Sequence, residues 1–114
     1  MAFSIKPFDA ALGAEVIGFD INRDATPEAS AELLTAWLEH VVLCFRDQAL
    51  EPADFVKLAG LFGKPRPQPL QRPEYTVDGF PQLRVLSNRH LDTHGDGKQI
   101  KTGGTWHSDH SHQQ

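Results

Sequence analysis

The chain has 114 residues, of which 39% are hydrophobic and 23% charged, with a formal net charge of −4. These proportions are typical of a small globular domain, and the scattered Lys and Arg argue against a nucleic-acid surface. No apolar run approaches the roughly 20 residues of a membrane span. The N-terminus lacks a signal-peptide pattern, and the lone Cys44 cannot form an internal disulfide, so we expect a cytoplasmic protein.

Three segments of the N-terminal half have the patterns of β-strands. Residues 3–8 alternate apolar and polar side chains, as a half-buried strand does. Residues 12–21 predict a second strand region, in which glycines permit close backbone approaches. Residues 41–45 are wholly apolar and rich in β-branched side chains, which predicts a strand buried on both faces.

Two amphipathic helices are predicted around the third of these strands. Thr26-Pro27-Glu28 combines a capping residue, a proline at the first helical position and an acidic first turn, so a helix should run to Glu39 or His40. Glu51-Pro52 begins a second helix, which we expect to stop at Gly63. Their apolar faces would be formed by Leu33, Leu34, Trp37 and Leu38 in the first helix and by Phe55, Leu58, Ala59 and Phe62 in the second.

The C-terminal half contains less regular structure. Five prolines between Lys64 and Pro81 predict an extended loop, residues 83–87 alternate as a strand, and residues 88–104 form a polar loop. Residues 105–111 are expected to be extended. The order of elements predicts an α+β fold, mainly β, in which the helices cover part of a sheet.

The end of the chain concentrates side chains that can bind a metal. In a strand, residues two apart point the same way, so His107 and Asp109 would place a ring nitrogen and a carboxylate oxygen on one face. Non-haem iron(II) oxygenases use two His and one carboxylate on one face of an octahedron. The spacing by itself also fits a polar loop end with solvated side chains. For His110 and His112 we expect solvation.

Four segments, in order, resemble the taurine dioxygenase-like family of 2-oxoglutarate-dependent oxygenases. They are Leu12 to Asp20, Val41 to Gln48, Phe55 to Gly63, and Trp106-His107-Ser108-Asp109. The resemblance implies part of a double-stranded β-helix, or jelly roll, with flanking helices. It also implies Fe(II) bound by His107 and Asp109, with 2-oxoglutarate and O₂ as co-substrates, and Trp106 packed beside the first ligand.

Family members are more than twice as long, so we expect residues 1–114 to be a truncated, N-terminal part of a single oxygenase domain. The third iron ligand and the Arg that binds 2-oxoglutarate would then lie beyond residue 114. The expected substrate is a small organic acid, sulfonate- or aryloxyalkanoate-like, with Gln68, Gln71 and Gly103 at the family's substrate-contact positions. Isolated, the chain should be inactive and marginally stable and should aggregate or form a homo-oligomer.

Two other functions remain open at this point. A non-catalytic ligand-binding or interaction domain could keep the same scaffold. A zinc-dependent hydrolase could use His107 and Asp109 with His110 or His112.

Overall fold

A computed structural model describes residues 2–69, 71, 75–86 and 105–109. Its larger sheet has three strands in the order β1-β2-β3, namely β1 (Ser4–Pro7), β2 (Ala14–Ile17) and β3 (Leu43–Phe45). β1 and β2 are antiparallel, whereas β3 runs parallel to β2 across a helical connection. The predicted strands near the N-terminus are therefore confirmed, with the second ending at Ile17.

Gly13 explains why the chain can turn into β2. Its φ of +97° lies in the left-handed region, and a Cβ there would stand 2.8 Å from Cδ2 of Phe8. The Gly13 backbone N–H also donates to the carbonyl oxygen of His40 at 2.8 Å, which ties β2 to the end of a helix. Glycine suits this position because it accepts the positive φ and has no Cβ to meet the Phe8 ring.

Helix α2 (Pro27–His40) lies over the sheet and is the helix predicted from its capping residues. Thr26 Oγ1 accepts a hydrogen bond from the Ala29 backbone N–H at 3.1 Å, as an N-cap side chain should. The helix ends at Val41, whose φ is +73°, so Val41 terminates a helix instead of beginning a strand as predicted.

The hydrophobic core lies between α2 and the larger sheet. Its buried members come from β2, α2, the residue before β1 and the segment that links β2 to α2: Phe3, Val16, Phe19, Ile21, Ala29 and Leu33. Leu33 and Val16 are the largest side chains that are fully buried, at 0% and 1% exposure. Strand β3 is only half-buried, so the cover that an apolar strand needs on both faces is incomplete among the described residues.

Two helical boundaries differ from the predictions. The second strand region was predicted to extend to Ile21, but Ile21 begins a single-turn helix, α1 (Ile21–Asp24), capped by the Asp20 side chain. Helix α3 (Pro52–Gly60) ends before Gly63, where residues 61 and 62 form a turn. Leu58 and Phe62 pack against the core, while Phe55 is 54% exposed.

The predicted proline-rich loop contains a strand that its composition concealed. β4 (Thr76–Val77) pairs antiparallel with β5 (Phe80–Arg84) in a second, two-stranded sheet. Gly79, with φ of +82°, forms the turn between them. The strand expected over residues 83–87 therefore begins three residues earlier, at Phe80.

The described residues combine helices and strands, as an α+β unit does. Helices nevertheless account for more of them than strands do, so the expectation of a mainly β chain is not met within these ranges. None of the helices found there has the length and apolarity needed to cross a bilayer.

Candidate functional site

The segment from Thr105 to Asp109 holds the two predicted metal ligands close together. His107 Nε2 lies 3.1 Å from Asp109 Oδ1, and the other ring nitrogen, Nδ1, lies 2.7 Å from the carbonyl oxygen of Thr105. The segment is not a strand, contrary to the prediction, and it turns at Asp109. The turn brings together the two side chains that strand geometry was expected to align.

The two hydrogen bonds of His107 define the state of its ring. A carbonyl oxygen can only accept, so Nδ1 carries a proton and donates it to Thr105. A carboxylate oxygen also only accepts, so Nε2 donates to Asp109 when the ring carries its second proton. The Thr105 carbonyl and the negative charge of Asp109 accordingly raise the pKa of His107 above its ordinary value.

This arrangement fits a divalent metal ion. Metal-binding His residues usually donate their second ring N–H to a carbonyl or carboxylate, which fixes the tautomer, and Thr105 supplies that carbonyl here. Two ligand atoms about 2.1 Å from one ion and at right angles are about 3 Å apart, close to the separation of Nε2 and Oδ1. Within the described residues, no third His, Cys, Asp or Glu joins the pair.

The pair is open to solvent as far as the described residues are concerned. The side chains of His107 and Asp109 are 51% and 85% exposed. Trp106 was expected to pack beside His107 and exclude water, but it is fully exposed and contributes no such cover. The pair is therefore held by hydrogen bonds within five residues and not by burial.

Gln68 and Gln71, the predicted substrate contacts, both attach the preceding loop to β5. Gln68 Nε2 donates to the carbonyl of Gln82 at 3.0 Å, and Gln71 Nε2 donates to those of Pro81 and Gln68 at 2.9 and 2.6 Å. In the described part of the chain, no hydrogen bond or ion pair joins either glutamine to His107 or Asp109. Their amide nitrogens thus have a structural role that the sequence did not indicate.

Three further predicted positions, Gly103, His110 and His112, lie outside the described residues. The Thr105 carbonyl was not anticipated from the sequence. It is a backbone group, so no residue type indicates it, and only the local turn brings it to Nδ1.

Comparison with known proteins identifies relatives of the chain. Residues 4–114 match the family model described as taurine catabolism dioxygenase TauD, TfdA family. The chain is 31% identical over 110 residues to the (S)-phenoxypropionate/alpha-ketoglutarate-dioxygenase of Sphingobium herbicidovorans, a match that covers 95% of the chain and 35% of the relative.

Solved structures give a consistent result. A taurine dioxygenase from Burkholderia xenovorans aligns with a TM-score of 0.63 and 30% identity over 81% of this chain and 32% of its own. AAD-2, solved with Mn(II) and N-oxalylglycine, aligns with a TM-score of 0.51 and 26% identity over 56% of this chain and 25% of its own. The chain thus spans about a third of the length of its relatives.

Proposed function

Because this chain belongs to the taurine catabolism dioxygenase TauD, TfdA family, we propose that it forms part of an Fe(II)- and 2-oxoglutarate-dependent dioxygenase. In this proposal His107 and Asp109 are two of the iron ligands. The substrate is a small organic acid, as the names of the relatives suggest, of the sulfonate or aryloxyalkanoate class. The complete domain would be a jelly roll with helices packed outside.

The observation that carries the proposal is the His107–Asp109 pair with its Thr105 support. Nε2 and Oδ1 lie 3.1 Å apart, and the Nδ1 bond to Thr105 keeps the lone pair of a neutral ring on Nε2. A relative solved with Mn(II) supports a divalent metal in this family. The Asp109 carboxylate would offset one positive charge of the ion.

When bound, the iron with 2-oxoglutarate and O₂ supplies the oxidation: 2-oxoglutarate becomes succinate and CO₂, and one oxygen atom enters a substrate C–H bond. In this proposal the residues of this chain bind and orient the metal ion. His107 and Asp109 would hold the ion, and the Thr105 carbonyl, which accepts from Nδ1, would help to fix the orientation of the ring. A third ligand and the group that holds 2-oxoglutarate would come from the part of the family's domain that this chain does not cover.

Calorimetric titration of the chain with Co(II), a stable substitute for Fe(II), tests the ligand assignment. We expect weak binding, because the pair supplies only two ligands, and a loss of at least about tenfold in affinity in His107→Ala. His40→Ala is a matched control, because His40 Nε2 lies 3.9 Å from Glu39 Oε2 and so forms another His–carboxylate pair. Equal affinities of wild type and His107→Ala would refute the assignment.

The same titration separates the oxygenase from a zinc-dependent hydrolase. A His110→Ala, His112→Ala double variant should bind Co(II) as wild type does if those residues are solvated. If it loses binding and His107→Ala does not, the metal belongs to the later histidines. Intense visible absorption of bound Co(II) would indicate the tetrahedral site of a zinc enzyme, whereas weak bands indicate octahedral coordination.

A further inference from the structure

A cleft lies between α2 and β1, at the edge of the larger sheet, and we call it the α2–β1 cleft. It has a volume of about 470 Å³, which is in the range of small-molecule pockets. The apolar part of its lining comes from both elements: Ile5, Pro7, Ala31 and Ala36. Ile5 packs against the core and Ala36 is buried, so this part of the cleft is fixed by the scaffold.

Two carboxylates belong to the polar part of the lining, those of Glu32 and Glu39. Seven positions separate them, so they lie on the same side of α2 and about 10 Å apart along its axis. Glu32 is half-buried, and no hydrogen bond or ion pair joins its carboxylate to the described residues. Glu39 Oε2 lies 3.9 Å from Nε2 of His40, and no Lys or Arg of the described chain pairs with it. The cleft therefore carries negative charge that a ligand could neutralise.

The placement of this charge restricts the class of ligand. An anion would be repelled by both carboxylates. One metal ion cannot bind both, because the oxygens around a single ion lie within a few ångströms of one another. What complements the cleft is a molecule with two cationic groups about 10 Å apart and an apolar chain between them.

The backbone of β1 disfavours an added strand as the occupant. β1 is the first strand of the sheet, and in the described ranges its other edge has no partner. The Phe8 N–H donates to the Gly13 carbonyl at 3.0 Å, so the alternation of N–H directions puts the nitrogen of Pro7 on the free edge. Proline has no N–H to donate there, which blocks strand pairing and leaves the cleft to a small molecule.

We propose that the α2–β1 cleft binds a linear aliphatic diamine. One ammonium group pairs with Glu32 and the other with Glu39, and the methylene chain lies against Ile5 and Ala36. Chains of about seven methylene groups have the length that the separation of the carboxylates requires. An alkyl monoamine forms one ion pair, and a short diamine cannot reach both carboxylates, so both bind more weakly. The proposal does not rest on the metal assignment.

A chemical-shift titration of the ¹⁵N-labelled chain with α,ω-diaminoheptane tests the proposal. The buffer is at about pH 8, where alkylamines are protonated and histidine side chains are ordinarily uncharged. We expect saturable shifts of the backbone amides of Ile5, Thr35 and Ala36, which line the cleft. Heptylamine and α,ω-diaminopropane should each bind at least about two- to fivefold more weakly, as the loss of one exposed ion pair predicts.

Substitutions on α2 separate this site from general attraction to an acidic protein. Glu32→Gln and Glu39→Gln should each weaken diaminoheptane about two- to fivefold, because each removes one charge from the cleft. Glu28→Gln removes an exposed carboxylate of the same helix that does not line the cleft, and it should bind as wild type does. Circular dichroism verifies that α2 remains folded in all three.

Four results would overturn the proposal. The first is the absence of saturable shifts in the cleft with diaminoheptane. The second is equal affinity for heptylamine or diaminopropane, which would show that the two charges and their spacing do not matter. The third is an equal loss of affinity in Glu28→Gln and Glu32→Gln. The fourth is a change in sedimentation of Glu32→Gln with unaltered diamine binding, which would make a second copy of the chain the occupant.

Discussion

The N-terminal region, residues 2–69, and the segment from Thr105 to Asp109 are organised in opposite ways. In the first, Leu33 and Val16 are fully buried beneath α2, and contacts join residues far apart in sequence. In the second, every residue is exposed, and the geometry of His107 depends on Thr105 and Asp109, each two positions away. The scaffold is thus stabilised by long-range packing, whereas the His107–Asp109 pair is arranged by local hydrogen bonds.

The difference implies that stability and metal binding can be changed separately. A substitution in the core should unfold the scaffold and leave the contacts within residues 105–109 available. Conversely, a substitution of Asp109 removes no buried surface, since its side chain is 85% exposed. The two regions should therefore respond independently to substitution.

The largest expected effect on stability is at Leu33. Leu33→Ala removes a fully buried side chain from the centre of the core, so the free energy of unfolding should fall by about 2–5 kcal/mol, enough to unfold a marginal chain. Leu38→Ala, on the same helix but 75% exposed, should change it by no more than about 0.5 kcal/mol. Urea unfolding followed by circular dichroism measures both; equal losses would show that α2 does not cover the core as described.

The next largest effect is on catalytic activity, which has to be measured in a complete domain. In a chimera in which residues 4–114 replace the matched segment of the Sphingobium herbicidovorans relative, Asp109→Ala should reduce substrate-dependent succinate release by about 100-fold or more. The reason is the loss of an anionic ligand. Asp9→Ala removes an exposed carboxylate from a loop and should retain activity. Succinate release at the unsubstituted rate would remove Asp109 from the metal site.

A smaller effect is expected from the ion pair in the scaffold at low pH. The Arg23 hydrogen bond lowers the pKa of Asp24, and the Asp20 backbone N–H adds to this. Because the folded pKa lies below the unfolded one, the ionised Asp24 stabilises the fold above about pH 4, and this contribution is lost as pH falls through the folded pKa. Urea midpoints from pH 7 to pH 3 should therefore fall less steeply in Asp24→Asn than in wild type, and identical slopes would contradict this.

The sequence predicted those elements whose signals are local and strong. Thr26-Pro27 fixes the start of α2 through a cap and a proline, and both are found as expected. Helix α1 was missed because a single turn is too short to show helical periodicity, although Asp20 was available as its cap. β4 was missed because it has two residues and lies in a segment that proline composition assigned to a loop.

Burial was harder to predict than secondary structure. The composition of residues 41–45 indicates an apolar strand, but whether both faces are covered depends on what packs there, and β3 is half-buried. The same holds for Trp106, whose size suggested packing and whose side chain is exposed. At the candidate site, the residue types predicted His107 and Asp109 as a pair, whereas the Thr105 carbonyl that accepts from His107 could be found only from the local turn.

We propose that His107 offers Nε2, and not Nδ1, to a metal beside Asp109. Long-range ¹H–¹⁵N correlation spectra of the labelled chain, recorded before and after addition of Zn(II) as a diamagnetic probe, test it most directly. We predict that the His107 Nε2 resonance moves to the position of a metal-bound nitrogen while Nδ1 keeps its proton, and that His40 is unchanged. Unaltered His107 resonances, or metal bound at its Nδ1, would contradict this assignment.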